Sequence, residues 1–164
     1  MSSSTYGDRS YDDSAGSRSG IAGRDLARTA AGVVGAVFLL VGILGFIPGI
    51  TQNYDQMEFA GHESGAELFG LFQVSVLHNI VHLLFGVAGL ALARRADTAR
   101  LFLIGGGAIY LVLWLYGLII GHGSDANFVP LNDADNWLHL VLGVGMIALG
   151  LLFARRTATH SLAR

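Results

Sequence analysis

The stretch HNIVHLLFGVAGLALARR, residues 78–95, decides the fold. From Leu83 to Ala93 it carries no polar side chain, and it closes on the pair Arg94 and Arg95. That is the pattern of a helix leaving a membrane at a charged boundary. Against it stand two histidines and an asparagine, His78, Asn79 and His82, at the other end of the same segment.

Working outward, a membrane span needs about 20 mostly apolar residues, within a range of about 17–25. Four uncharged runs meet this requirement: about 30–47, 68–93, 101–120 and 137–154. Backbone groups in lipid must satisfy one another within the segment, so each run is expected as a helix. Composition agrees. Hydrophobic residues make up 52% of the chain and charged residues 13%, where a soluble domain carries about 25% charged. A net charge of −2 argues against nucleic acid as a partner. Cysteine is absent, which excludes a disulfide framework and a thiolate metal site. The expected partner is the lipid bilayer, with a homo-oligomer or other membrane proteins compatible.

The second run is longer than one span. Ser64 and Glu67 form an S-x-x-E capping box, so this helix is expected to begin near Ser64 and to project from the bilayer. Residues 1–28 are rich in Ser, Gly, Asp and Arg. They lack the apolar surface needed for order, and they read as a disordered arm. The expected division is an arm at 1–28, a four-span membrane domain at 29–156 and a tail at 157–164.

The arginines set the orientation. All ten basic residues are arginine, and they lie in the arm, in the turn Arg94–Arg100 and in the tail. The two remaining connections carry only acids. The positive-inside rule then places both termini in the cytoplasm of a bacterial cell, with the chain in the inner membrane.

The chain also reads as a duplication. NIVHLLFGV from Asn79 and NWLHLVLGV from Asn136 share N-x-x-H-L-x-x-G-V. Aligning Arg28 with Arg100 pairs Gly45 with Gly117 and Gly49 with Gly121. The expected fold is therefore all-α: a four-transmembrane-helix bundle of two tandem helical hairpins related by a parallel repeat. Small residues let helices approach closely in lipid, so Gly45, Gly49, Gly86, Gly117, Gly121 and Gly143 are the expected packing positions.

Ionisable groups inside a span mark a functional site by default. His78, Asn79, His82, Asn136 and His139 are the candidates. The structural reading is a polar core in which Asn79 and His82 share a network and meet Asn136 and His139 across the bundle. A second reading uses His78, His82 and His139 as ligands to haem or a divalent metal, since imidazole suits zinc, copper and iron. No carboxylate or thiol inside the membrane completes such a set. A third, a proton pathway or quinone site, meets no polar group inward of His82. A fourth, small-solute transport, requires an oligomer.

The motifs H-N-x-x-H-L at His78–Leu83 and N-x-x-H at Asn136–His139 resemble those of the domain of unknown function 4383 family of small bacterial membrane proteins. The resemblance covers about Arg28 to Arg156 and departs from the family at Ser75, where Asn is common. It implies four membrane helices and singles out the same histidines. It implies no activity, substrate or cofactor. The resulting expectation is a non-enzymatic structural or accessory membrane protein, with a haem- or metal-binding redox component as the alternative and solute transport as a second.

Overall fold

A computed structural model describes residues 10–158, and their side chains over 23–152. Four helices carry the chain: α1 (Ser10–Leu44), α2 (Val76–Leu92), α3 (Ala96–Ile119) and α4 (Asp133–Ala158). α1 packs chiefly on α2, and α3 on α4. The two pairs then join mainly through α1 against α3 and α4.

Three stretches are long and apolar enough to cross a membrane: Gly23–Leu44, Ala96–Ile119 and Asp133–Leu152. Away from their charged and polar ends, their outward faces are apolar. Val33, Val37, Leu40, Val112, Leu118, Val141 and Val144 all stand exposed. Exposed apolar surface on this scale has no place in water and marks contact with lipid or another protein.

The second run departs from expectation. α2 does not start near Ser64; it starts at Val76 and has 17 residues. Ser64 is fully buried and caps no helix. Its hydroxyl donates to Val74 O at 2.6 Å and accepts from Glu58 N at 3.3 Å. Glu67 sits in a strand. The cause is local: between Ala66 and Val74 the buried residues Ala66 and Leu68 alternate with a more exposed Glu67. That is a strand period, not a helical one. The true cap is Ser75, whose hydroxyl accepts from His78 N at 3.1 Å.

Residues 45–75 thus build a compact cap on one end of the bundle. Its sheet has three short antiparallel strands in the order β1 (Thr51–Gln52), β2 (Glu67–Leu68), β3 (Phe72–Gln73). Phe69 and Gly70 both take positive φ in the β2–β3 turn. Ala66, Leu68 and Val74 form the cap's own core, with Val41 and Leu44 of α1 packed against it. Buried Thr51 turns its hydroxyl onto the last carbonyls of α1, at 3.1 Å from Leu44 O and 3.2 Å from Gly45 O. This satisfies helix-end acceptors that would otherwise be stranded.

The expected arm is helical from Ser10 onward, continuous with α1. Adding a residue to an existing helix needs no new nucleus, so the span carries the helix past its apolar part. Residues 1–9, and of the expected tail residues 159–164, lie outside the described chain.

Candidate functional site

The helix pairing sets similar glycine contacts in both helix pairs. In the first pair, Gly35 on α1 meets Gly86 and Gly89 on α2; a Cβ at Gly35 would lie 3.0 Å from Gly86 O. In the second, Gly107 on α3 meets Gly143 on α4; a Cβ at Gly107 would lie 2.8 Å from Gly143 O. Ten residues further along the chain in each pair, Gly45 and Gly117 each make room for an asparagine amide. Any side chain at Gly45 would collide with Asn79, and any at Gly117 with Asn136. Gly49 and Gly121 are not packing positions; a Cβ added at either would meet nothing within 4 Å. α1 ends at Leu44 and α3 at Ile119, so neither glycine is on a helix face. Gly49 instead turns the chain with φ 92°.

The histidines lie against aromatic rings. His82 meets Phe38 edge-on at 5.4 Å, and His139 meets Tyr110 at 5.2 Å. Phe38 and Tyr110 are stacked on each other at 5.4 Å with ring planes 4° apart. The two histidines therefore flank a central ring pair contributed by α1 and α3. Sequence reading passed over Phe38 and Tyr110. The signal was present, because the alignment of Arg28 with Arg100 also pairs these two positions.

Asn79, His82, Asn136 and His139 are all buried. They do not form the cross-bundle hydrogen-bond network expected from sequence. Asn79 bonds locally: its Oδ1 lies 3.3 Å from His78 Nδ1, and its amide lies 3.9 Å from Met57 Sδ. His78 and His82 rings lie 4.3 Å apart. The Nδ1 atoms of His82 and His139 are buried without a partner, as is Asn136 Oδ1. Helix geometry explains the miss. Residues four apart share a face, but facing helices here approach through glycines, and the His82 and His139 rings then pack edge-on against Phe38 and Tyr110 instead of reaching one another.

What the histidines share is a cavity of about 150 Å³. His78, His82, Tyr110 and His139 line it, with Leu113 at the side and Phe128, Val129 and Pro130 from the α3–α4 connection above. That connection is anchored at several points. Tyr116 donates its hydroxyl to Ala126 O, Asn127 donates to His122 O at 3.0 Å, and Gly61 N reaches Phe128 O at 2.9 Å from the cap. The cavity's wall is mostly apolar, interrupted by three imidazoles, one phenol and Ser75. Inward of it, Phe85 and Phe102 close on Phe38 and Tyr110 and fill the bundle. Among the described residues no three His, Cys, Asp or Glu groups converge on a point where a metal ion would be held.

Asp135, which sequence reading left out, ties α4 to the cap. It is 3% exposed, and its carboxylate accepts from Gln73 N and Asn132 N, both at 3.1 Å. Asn132 Oδ1 in turn accepts from Asp135 N at 2.9 Å, completing a reciprocal helix cap. The N-x-x-D spacing was legible; the third bond, to a strand 62 positions away, was not.

The model of a protein family described as domain of unknown function, DUF4383, matches residues 28–152. No curated protein and no solved structure matches the chain.

Proposed function

We propose that this chain, which belongs to the DUF4383 family, is a non-enzymatic four-span membrane protein that holds a small, weakly polar ring compound in its histidine-lined cavity. One observation carries the reading. His82 and His139 line the same cavity, and each keeps a buried Nδ1 with no partner. Buried polar atoms are paired in nearly all native structures, so two orphans beside one cavity favour a guest that a turn of either ring would bring into reach. A cavity of about 150 Å³ suits a benzene-sized ring. The imidazoles supply one or two hydrogen bonds to it, donating or accepting by tautomer. A porphyrin does not fit in that volume.

The fourth span is α2. Its 17 residues reach roughly 25 Å at 1.5 Å per residue, near the lower limit for a core about 30 Å thick. Its exposed face, Ile80, Leu84 and Val87, is as apolar as its neighbours'. The duplication is supported by matched geometry: Gly35 with Gly86 repeats as Gly107 with Gly143, and Gly45 with Asn79 as Gly117 with Asn136. The helix caps repeat as well, Ser75 for α2 and Asn132 for α4. With both termini inside, the cavity and cap face outward. A periplasmic reporter enzyme fused after Gly123 is then expected to be active, and one fused after Asp97 inactive; the reverse pattern overturns this orientation.

Phenol and toluene test the cavity. Phenol is expected to raise the thermal midpoint of the purified protein saturably. The double substitution His82→Leu/His139→Leu keeps the volume and removes the ring nitrogens. It should weaken phenol binding about tenfold, the value of one hydrogen bond near 1.4 kcal/mol, and leave toluene binding unchanged. Equal losses for both compounds, or no binding of either, would count against the proposal. A Soret band in the purified protein would replace it with haem binding.

A further inference from the structure

The opposite end of the bundle holds a second cleft, of about 390 Å³, and its chemistry is different. Arg24 and Arg28 reach it from α1, and Arg94 and Arg95 from the α2–α3 turn. Two carboxylates, Asp25 and Asp97, also line it, so four guanidiniums face two acids. Asp25 pairs with Arg28 at 3.6 Å. Among the described residues no ion pair is formed by Arg24, Arg94 or Arg95. The cleft also receives the start of α3. Its N-cap is Arg95, which supplies no side-chain acceptor to the first-turn amides. These amides and the helix dipole favour an anion at the same place as the guanidiniums.

The cleft lies where apolar helix surface begins. Leu90 on α2 and Leu101 on α3, each four residues along the chain from a cleft residue, are exposed. A soluble anion would use the arginines and ignore these side chains. An acyl lipid uses both. The geometry points to a binding site for the phosphate headgroup of an anionic glycerophospholipid, held by Arg24, Arg28, Arg94 and Arg95, with its chains laid along Leu90 and Leu101. Planar guanidiniums suit phosphate through paired N–H donors. The α2–α3 turn is short, so a lipid bridging it to α1 clamps the first hairpin to the second at its charged end.

Protein in mild detergent, titrated with phosphatidylglycerol or phosphatidylcholine and read by native mass spectrometry, tests this. One tightly retained phosphatidylglycerol is expected, in clear preference to phosphatidylcholine. Each arginine near an anionic lipid surface contributes about fivefold to binding, so Arg94→Gln/Arg95→Gln should cut that preference at least fivefold. Equal retention of the two lipids, or a preference untouched in the variant, overturns the site. Inorganic phosphate that binds while phosphatidylglycerol shows no advantage assigns the cleft to a soluble anion and overturns the lipid. Should the variant fail to remain monodisperse, salt decides on the unaltered chain. Screening lengths fall from about 10 Å at 0.1 M to about 3 Å at 1 M, and the preference must shrink accordingly; one that persists undiminished refutes a headgroup held by charge.

Discussion

Gly107→Leu is expected to leave little folded protein, while Gly105→Leu, on the same helix, is expected to leave the bundle intact. The two positions differ in what a side chain would meet. At Gly107 a Cβ would sit 2.8 Å from Gly143 O and 3.0 Å from Ile147 N, both backbone atoms of α4. At Gly105 nothing lies within 4 Å. Forcing extra carbons into a packed site costs about 1–3 kcal/mol even where side chains can yield. Backbone cannot yield without separating α3 from α4, so the cost falls at the top of that range or above it. Gly143→Leu against Gly145→Leu is the same comparison from the partner helix, because nothing lies within 4 Å of Gly145. The share of protein that stays monodisperse after extraction, with its thermal midpoint, is the readout. Equal behaviour of Gly105 and Gly107 would mean that the helices do not cross there.

This contrast also marks what the sequence made legible. Gly107 and Gly105 belong to one run of three glycines, Gly105–Gly107, and composition alone cannot say which one meets a neighbour. The alignment of Arg28 with Arg100 points to one of them, because it pairs Gly107 with Gly35. Three of the four expected spans correspond to helices long and apolar enough to cross a membrane, and for a simple reason: an uncharged run of suitable length has few alternatives in lipid. The cap was not. From Leu68 to Ala93 the chain is continuously uncharged, and in such a run strand and helix periods are hard to separate. Ser64 and Glu67 then offered a helix start that the alternation of Ala66, Glu67 and Leu68 overrides. The true boundary, Ser75, lay inside the run.

The candidate site was legible as a set of residues and not as an arrangement. His78, His82 and His139 do come to one cavity. Asn79 and Asn136 do not line it; each instead fills the notch opposite a glycine, Gly45 or Gly117. The sequence could place these side chains on helix faces. It could not show that Phe38 and Tyr110 would stack between the histidines and keep them from bonding to each other. That stack changes the chemistry of the site. Phe38 and Tyr110 lie between His82 and His139, and the Nδ1 atoms of both are buried without a partner.

Asp135→Ala is expected to unfasten the cap from α4 and, through it, to open the cavity. The carboxylate holds two backbone amides, one from β3 and one from the loop before α4. Leaving a buried donor unsatisfied costs about 1–3 kcal/mol, so the loss of both comes to about 3 kcal/mol in stability. Asp135→Asn keeps an acceptor oxygen on the same atoms' side of the group and should retain more than half of this. Asn132→Ala removes the reciprocal half of the cap and also the bond from its amide to Leu71 O at 2.8 Å. The two alanine substitutions share one network, so their effects should sum to less than their separate costs. Hydrogen exchange locates the change: amides of Gln73 and Asn132 should lose protection while those near Gly107 keep theirs. Asp135 lines no part of the cavity, yet Val129 and Pro130 in the connection before α4 do. Weaker phenol binding in Asp135→Ala, with toluene weakened equally, would show that the cap holds the cavity's roof in place. Unchanged binding of both would confine Asp135 to anchoring the helix.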